Sequence, residues 1–444
     1  MTRLHRSVWW SIHKRMKFAP CSFLLSGSLL FFTAVANADW PYVRGPQSDG
    51  TVANTVVTPW GSQGPKKLWK VPTPDGFSSF SVKDGRAFTL VTRNLEGIPR
   101  EVCVALDANT GKELWSASFN PAKYDGGGND GTADNKGGDG PRSTPTLDGD
   151  KVYVLTADLV LGCLDAKTGK EIWKREIIKE HAGRQINWKN AASALVEGNL
   201  VFLAGGGAGE SLIGIDKLTG KTVWKAHDEK MTHANPVPAT IHGVRQIIFF
   251  TQSGLVSVAP KDGALLWKQE FKFNVSTASA PVVGGDIVYC AAGYSVGSAA
   301  FRVSHQAGKW STEQLYRING NKPVANHWST PVYKDGHLYG MFSFKEYGTG
   351  PLKCVELATG KVKWEQAGFG PGNVIIAGND IVALSDKGEL VLVEASPAGY
   401  KEKARADVLD GKCWSHPALS DGRVYVRSTK EGGCFEVIAT TASR

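Results

Sequence analysis

The chain has 444 residues, of which 42% are apolar and 21% are charged, a composition that excludes a disordered protein. It carries 51 Lys and Arg against 42 Asp and Glu, but five basic residues and no acidic one lie in residues 1–38. The balanced remainder excludes a nucleic-acid binder, which needs a concentrated basic face. The many glycines and tryptophans, 51 and 14, favour all-β repeats with many turns.

Residues 1–38 are predicted to be an export signal. They are basic at their start and apolar over residues 23–35, and Ala36 to Ala38 place small residues at a cleavage site, so the mature chain starts at Asp39. The apolar run is too short to span a bilayer. An uncleaved anchor is the alternative, and Met16 is an alternative start. The prediction is an exported, soluble protein, periplasmic or extracellular, without stable membrane insertion.

A first repeated phrase joins an alternating apolar run, a Thr/Asp-Gly-Lys turn and a second run that contains Trp. This turn chemistry predicts a β-hairpin. The copies end at Trp115, Trp173, Trp224, Trp267 and Trp364, with a shortened copy ending at Trp310.

A second phrase, two strands around a Gly turn, precedes each copy of the first. It occupies residues 143–155, 193–203, 235–250, 279–290, 329–341 and 415–427, with weaker copies at 79–90 and 371–384. The two phrases together make a four-stranded antiparallel unit of roughly 42–64 residues, the period of a propeller blade. Eight copies predict an all-β, eight-bladed β-propeller that occupies residues 39–444 as one domain.

The strand count predicts how the ring closes. The last copy, residues 413–439, supplies only three strands, and residues 66–71 (KKLWKV) resemble a Trp-bearing outer strand with no blade before it. We therefore expect the N-terminal strand to complete the last blade, which removes an open sheet edge.

The repeated Trp residues are predicted to wedge neighbouring blades together, because a large ring buries much area at a fixed position in each repeat. They are Trp69, Trp115, Trp173, Trp224, Trp267 and Trp364. A functional stacking ladder is the alternative. The six cysteines after residue 38 lie mostly in apolar strand-like runs and are expected to be buried thiols, although an oxidising compartment would permit disulfides.

These residues resemble the pyrroloquinoline quinone (PQQ)-like β-propeller repeat proteins. The repeat stands here as ALDANTGKELW (105–115) and CLDAKTGKEIW (163–173), and the opening DWPYVRGPQSDGT (39–51) is similar to the start of exported members. The superfamily includes quinoprotein alcohol dehydrogenases and a propeller subunit that scaffolds outer-membrane β-barrel assembly. The resemblance therefore implies the fold and leaves the activity open.

Quinoprotein dehydrogenases hold PQQ at the ring axis, against a Trp face and beneath a disulfide between neighbouring cysteines, and the resemblance implies such a site here. It also implies calcium held by acidic and amide side chains, and an Asp base. This chain has no neighbouring cysteine pair, and no Glu/Asn/Asp set carries over. We expect no cofactor, with PQQ and calcium as the alternative.

The residues just before the innermost strands are predicted to face the central channel. Aligning the opening phrases puts small residues, including Ser78, at one position together with Arg142, His233, Trp328 and Trp414, and blade 7 is uncertain near Gly370. A cationic and aromatic ring mouth suits an anionic or planar ligand. Alternatively, these residues plug a narrow channel and hydrogen-bond to the backbone. The candidate ligand-binding residues are Arg142, Trp188, His233, His327, Trp328, Trp414 and His416.

Three other patterns are interpreted as structural. Gly293 to Gly297 match G-x-S-x-G, but a strand follows where a nucleophile elbow needs a helix. The histidines have no metal-ligand spacing. The insertion 124–140 is expected to be a mobile surface loop. Its glycines match G-x-G-x-x-G, at Gly126, Gly128 and Gly131. Its acidic residues lack the spacing of a calcium loop, and they are Asp125, Asp130, Asp134 and Asp139.

The leading hypothesis is a non-catalytic binding or scaffolding module that presents the propeller face to a protein partner or a small ligand. The alternative is a PQQ-dependent oxidoreductase that uses Trp328 or Trp414 as a stacking floor and Arg142 for the cofactor's carboxylates. The two differ in whether PQQ and calcium bind and support turnover.

Overall fold

The computed structural model describes residues 39–53, 57, 59–121, 124, 140–275 and 277–437. They belong to a compact unit that comprises residues 37–444. The predicted export signal lies outside the described residues, as do the glycines and acidic residues of the insertion 125–139. Both interpretations therefore stay predictions.

In the described part of the chain, 33 strands form eight sheets, and one helical turn, α1 (Ile177–Glu180), follows the tenth strand. The first half of the strands is β1 (Thr51–Val52), β2 (Lys66–Pro72), β3 (Ser81–Lys83), β4 (Arg86–Leu95), β5 (Ile98–Asp107), β6 (Glu113–Pro121), β7 (Thr146–Asp148), β8 (Lys151–Leu155), β9 (Val160–Asp165), β10 (Glu171–Glu176), β11 (Leu195–Glu197), β12 (Leu200–Ala204), β13 (Leu212–Asp216), β14 (Thr222–Ala226), β15 (Val237–Ile241), β16 (Val244–Thr251) and β17 (Gly254–Val258). The second half is β18 (Leu265–Glu270), β19 (Val282–Gly284), β20 (Ile287–Ala292), β21 (Gly297–Gln306), β22 (Lys309–Ile318), β23 (Val332–Lys334), β24 (His337–Met341), β25 (Leu352–Glu356), β26 (Val362–Gln366), β27 (Asn373–Ala377), β28 (Asp380–Leu384), β29 (Glu389–Glu394), β30 (Glu402–Asp407), β31 (Ala418–Ser420), β32 (Arg423–Arg427) and β33 (Glu431–Glu436).

Blades 1 to 7 are seven consecutive groups of four antiparallel strands, from β3–β6 to β27–β30, each beginning with its innermost strand. Blade 8 is β31–β33 with β2 as its outermost strand. The eight-bladed propeller predicted from the repeats is confirmed. Both weaker copies of the second phrase form inner hairpins, β3–β4 and β27–β28.

The predicted closure of the ring is confirmed by the pairing of β2 with β33. The pairing is antiparallel from Lys66 opposite Glu436 to Pro72 opposite Glu431. An ion pair of 3.2 Å joins Lys66 Nζ to Glu436, and one of 2.8 Å joins Lys70 Nζ to Glu431. The backbone hydrogen bonds between β2 and β33 contribute most of the stability of this closure, because exposed ion pairs contribute little.

The repeated tryptophans pack between blades, as predicted. The Trp224 ring covers Gly263 of the next blade, and its Nε1–H donates to the Pro260 carbonyl at 2.9 Å. Gly263 has a φ of +72° and no room for a Cβ under the indole, so both conditions require glycine. The same contact recurs for Trp69 on Gly111, Trp115 on Gly169, and Trp173 on Gly220.

In blade 5 the shortened copy of the first phrase forms a hairpin, and its Trp310 does not occupy the wedge position. The β21–β22 hairpin turns at Ala307 and Gly308, so Trp310 pairs with His305 near the turn and stacks on it at 4.1 Å. Tyr316 takes the wedge position instead and contacts Gly360 of blade 6. The outer strand is longer here, which moved the aromatic residue along the sequence.

The N-terminal segment, residues 39–52, crosses the ring, and the sequence did not predict this. At one end Trp40 forms a bridge with Val82 of blade 1. On the far side of the ring Arg44 is 3% exposed and donates to the Thr330 carbonyl of blade 6 at 2.9 Å. A buried guanidinium with carbonyl partners fixes the segment across the axis.

The same segment ends as a strand. β1 pairs in parallel with β27 of blade 7, Thr51 opposite Ile376 and Val52 opposite Ala377. The segment thus joins blades that are not neighbours along the chain.

The two faces of the ring differ. The inner strand of every blade begins on the same face of the ring, here called the mouth face. The connections between blades lie on this face, and so do the loops that join the second and third strands of a blade, such as β8–β9 and β24–β25. The opposite face carries two-residue inner turns such as Asp335-Gly336 and the Thr-Gly-Lys turns of the first phrase. Long connections on the mouth face, such as residues 177–194 and 319–331, provide the variable surface.

All six cysteines among the described residues are buried and free. Burial raises the pKa of each thiol, for example that of Cys434 to about 12. They pack as small apolar groups, as expected.

Replacing the wedge residue Trp224 tests the packing role. We expect Trp224→Ala to lower the free energy of unfolding by about 3 kcal/mol or more, since it leaves a cavity and removes the Nε1–H donor. Trp310→Ala, outside the wedge position, should cost about 1 kcal/mol. Urea unfolding followed by circular dichroism measures both. Equal losses would contradict the wedge role.

Candidate functional site

A cavity of about 350 Å³ lies at the axis, at the mouth face. Seven of the residues that line it are those the sequence singled out, namely Arg142, Trp188, His233, His327, Trp328, Trp414 and His416. The other lining residues are Val43, Phe77, Ser79, Thr144, Ala191, Ser193, Asn235, Ala278, Tyr294 and Lys345. The structure thus brings the predicted residues together, and that they bind a ligand stays a prediction.

Near-parallel aromatic rings form one wall of the cavity. Trp328 of blade 6 and Trp414 of blade 8 stack with ring centroids 4.7 Å apart and planes 12° apart, although blade 7 lies between them in the ring. Phe77 stacks on Trp414 at 4.7 Å, and Phe344 stacks on Trp328 at 5.7 Å. At the corresponding place blade 7 has the stretch Gly370-Pro371-Gly372 and no indole, which leaves room for this stack.

A second aromatic pair lies at the entrance. Trp188 and Tyr294 are near-parallel, 14° between planes and 6.5 Å between centroids. They are among the few large side chains with substantial exposure, 39% and 37%. Trp188 has a φ of +62° and Tyr294 one of +56°, conformations that are uncommon for bulky residues and often mark functional positions.

The charged groups at the cavity are cations. Arg142 Nη1 donates to the Trp188 carbonyl, which ties the entrance loop to blade 2. Lys345 Nζ lies 5.1 Å from the Phe344 centroid and 5.5 Å from that of Tyr294. No Asp or Glu is among the lining residues in the described part of the chain. The cavity therefore favours anions.

The three histidines are neutral in the folded protein. Burial lowers the pKa of His233 to about 4 and those of His327 and His416 to about 3, with smaller contributions from nearby cations such as Arg142 and Arg44. The His327 Nδ1 accepts from the Gly293 N–H at 3.3 Å. Positive charge at the mouth thus comes from Arg and Lys.

A belt of hydrogen bonds runs around the channel, formed by residues that lie two positions after the aligned ones. In each case a backbone N–H of one blade donates to a side chain of the next. The pairs are Ser79 to Thr144 Oγ1 (2.9 Å), Thr144 to Ser193 Oγ (2.8 Å), Ser193 to Asn235 Oδ1 (2.6 Å), Ala280 to Thr330 Oγ1 (3.0 Å) and His416 to Ser79 Oγ (2.7 Å).

Two polar atoms of lining side chains are left without a partner. Trp414 Nε1 and His416 Nε2 form no hydrogen bond with any described residue, although the side chains are only 5% and 9% exposed. An unpaired buried polar group costs about 1–3 kcal/mol.

Sequence reasoning missed several lining residues. Phe77, and not Ser78, takes the aligned position in blade 1, because the inner turn at Asp84 and Gly85 places Phe77 level with Arg142 of blade 2. Tyr294 and Lys345 come from hairpin loops, which carry no repeat signal. Gly293 to Val296 form the turn between β20 and β21, so the G-x-S-x-G match has no helix after it.

Two further absences concern the described residues. No three His, Cys, Asp or Glu side chains converge there as a metal site. Nor does the described part contain a helix long and apolar enough to cross a bilayer.

The fold and the axial cavity define an eight-bladed propeller of the PQQ-like repeat class. Residues 99–341, more than half of the chain, match the model of the family described as outer membrane protein assembly factor BamB. The protein belongs to this family.

Two curated proteins are similar in sequence. Outer membrane protein assembly factor BamB of Moranella endobia (strain PCIT) is 25% identical over 298 residues, which cover 64% of this chain and 71% of that protein. Quinohemoprotein alcohol dehydrogenase ADH IIB of Pseudomonas putida is 36% identical over 126 residues, 28% of this chain and 17% of that protein.

Solved structures of both kinds share the fold. Quinohemoprotein alcohol dehydrogenase from Comamonas testosteroni has a TM-score of 0.64 at 14% identity, covering 92% of this chain and 82% of that one. BamB from Moraxella catarrhalis has a TM-score of 0.57 at 15% identity, covering 84% and 99%. At these identities the likeness concerns the fold alone.

The lining residues do not fit PQQ bound with calcium. Calcium takes oxygen ligands, mainly carboxylates, and no carboxylate is among the lining residues that the structure describes. The histidines, with pKa values near 3 and 4, are poor bases at neutral pH. The described cavity thus supplies neither the cation's ligands nor the proton acceptor that the quinoprotein resemblance implies.

The buried histidines predict an acid-sensitive fold. Between pH 6.5 and about 3 the unfolded chain protonates His416 and the folded chain does not, so stability is lost as pH falls. Glu101, whose pKa burial raises to about 7, acts in the opposite sense. His416→Gln should therefore reduce the loss of unfolding free energy between neutral pH and about pH 5 by up to ~2 kcal/mol relative to the parent. Urea unfolding at both pH values measures this, and an unchanged difference would contradict it.

Proposed function

We propose that this protein is a non-catalytic binding or scaffolding propeller that works outside the cytoplasm and presents its mouth face to a partner protein. The observation that carries the proposal is the mouth face itself, where long inter-blade connections surround a cationic and aromatic cavity without a carboxylate. Family membership supports the scaffolding part, since the family is described by an outer membrane protein assembly factor. The predicted export signal supports the location.

The other surfaces of the ring are less suited to a partner. The outermost strands are rich in charged side chains, as in β10 (EIWKRE) and β30 (EKARAD). Such residues protect an open sheet edge from pairing with other chains. The face opposite the mouth consists of short turns whose side chains are engaged locally, for example Asp107 Oδ1, which accepts from the Thr110 N–H at 2.9 Å.

The oxidoreductase alternative has one observation in its favour, the stacked Trp328 and Trp414 at the axis. It lacks a base and calcium ligands among the lining residues. Reduction of an artificial dye by a primary alcohol, in the presence of added PQQ and calcium, would overturn the non-catalytic proposal.

Photo-crosslinking from two lysines of one blade tests the face used. Lys345 lies in the mouth-face loop of blade 6, and Lys361 lies in a turn at the opposite end of the same blade; both are exposed. A photoreactive residue at position 345, in cells that express the full chain, should give a discrete adduct with an envelope protein. The same residue at position 361 should give none.

The outcomes separate clearly. An adduct from position 345 that disappears when Trp188→Ala and Tyr294→Ala are added supports recognition at the mouth. Adducts from position 361 alone, or equal adducts from both, would contradict the proposal.

A further inference from the structure

We propose that the outer edge of β22, in blade 5, is the interface of a two-fold symmetric homodimer, in which residues 309–314 of two copies pair as antiparallel strands. The turn of the β21–β22 hairpin lies on the face opposite the mouth. The inference therefore goes beyond the proposed function and does not rest on it.

Among the outermost strands that the structure describes, β22 has the longest regular edge. Its residues 309–314 pair one by one with residues 306–301 of β21, six residues without a bulge. In the seven other outermost strands a bulge lies near the start, and the regular run beyond it has at most four residues, as in residues 173–176 and 267–270. Bulges and short strands protect sheet edges from pairing with other chains, so β22 lacks this protection.

The hairpin turn determines which backbone groups point away from β21. Ala307 and Gly308 have φ values of 48° and 74°, which define a type I′ turn. Its closing hydrogen bond directs the Lys309 N–H toward β21, so the N–H and C=O of Trp310 and Thr312 point toward the free edge. These groups form no hydrogen bond with any residue that the structure describes. They are available to a second strand.

Packing on blade 4 holds this edge in place. Trp310 stacks on His305 with ring centroids 4.1 Å apart, and Thr312 Oγ1 donates to Gln269 Oε1 of β18 at 2.6 Å. Both side chains lie on the face of the hairpin that packs against blade 4, which leaves the edge beside it open. A strand that is already ordered loses little entropy when it pairs.

A second copy is the occupant that the sequence of this edge fits. Antiparallel pairing about a two-fold axis at Ser311 places Trp310 opposite Thr312 of the second copy, where the outward backbone groups of both residues meet. The same register places Lys309 opposite Glu313 of the second copy, and both side chains lie on the exposed face of β22. The edge is therefore complementary to itself in charge and in hydrogen bonding.

Symmetry and size set the expected assembly. A two-fold contact uses the edge of both copies and leaves neither open, so association stops at the dimer. The paired segments are short and the interface is small, so we expect a dissociation constant of about 10–100 μM, measured by analytical ultracentrifugation of the full chain.

Disulfide trapping tests the register. Ser311 meets its own copy at the axis in a non-hydrogen-bonded pair, whose Cα atoms are about 4.5 Å apart and within reach of a disulfide. Ser311→Cys should therefore give a disulfide-linked dimer on a non-reducing gel. Ser304→Cys, opposite Ser311 on β21 and one strand further from the axis, should give none. The six native cysteines of the described chain are buried and do not compete.

Charge exchange tests the complementarity. Lys309→Glu and Glu313→Lys each place like charges opposite one another twice, so each variant alone should dimerise at least about tenfold more weakly. An equimolar mixture of the two variants should recover the affinity of the parent, because each altered side chain then faces its opposite charge on the other copy.

Two substitutions at one position test the backbone pairing. Thr312→Pro removes the N–H on the free edge and should abolish the dimer, since proline is tolerated on an edge strand but cannot donate. Thr312→Val also loses the hydroxyl bond to Gln269 but keeps the N–H, and it should dimerise as the parent does. Circular dichroism and thermal unfolding check that each variant is folded.

Four results would each overturn the inference. They are a chain that stays monomeric at about 100 μM, a disulfide dimer from Ser304→Cys in equal yield, a mixture of the charge variants that associates no better than its components, and a dimer that Thr312→Pro does not weaken. The photo-crosslink from position 345 reports on the mouth face alone, so failure of the dimer leaves the proposed function standing, and the reverse also holds.

Discussion

The antiparallel pairing of β2 with β33 is the constraint on which the rest of the structure depends. It sets blade 8 against blade 1, and the seam between these blades passes through the candidate site. Phe77 of blade 1 stacks on Trp414 of blade 8 at 4.7 Å, and the His416 N–H donates to Ser79 Oγ at 2.7 Å across the same seam. The stacked aromatic wall of the cavity therefore forms only when the ring is closed, because its rings come from different blades.

The crossing segment and the hydrogen-bond belt give the cavity its rigidity. Arg44 holds the segment to carbonyls of blade 6, while Trp40 holds it to blade 1. The belt ties backbone to side chain at five of the blade junctions. A site held in this way from both sides is pre-organised, so a ligand would lose little free energy in ordering it.

The features that recur in every repeat could be predicted from the sequence, and those that differ from the repeat could not. Blade number, closure through residues 66–71 and the wedge tryptophans follow from periodicity, which physical packing enforces in every copy. Tyr294 and Lys345 come from loops, whose conformation the repeat does not constrain. In blade 5 a longer hairpin places Tyr316 at the wedge position, for which the repeat indicated no Trp. The crossing of residues 39–52 depends on the buried Arg44, which no alternation pattern signals.

The closure also determines when the ring can form during synthesis. Lys66 and Glu436 are 370 residues apart, so β2 emerges early but has no partner strand until β33 has been synthesised, and blade 1 has no neighbour on one side until then. Contacts this distant in sequence make folding slow. Until β33 pairs with β2, the flank of blade 1 that blade 8 covers exposes apolar surface, and such surface favours association with other chains.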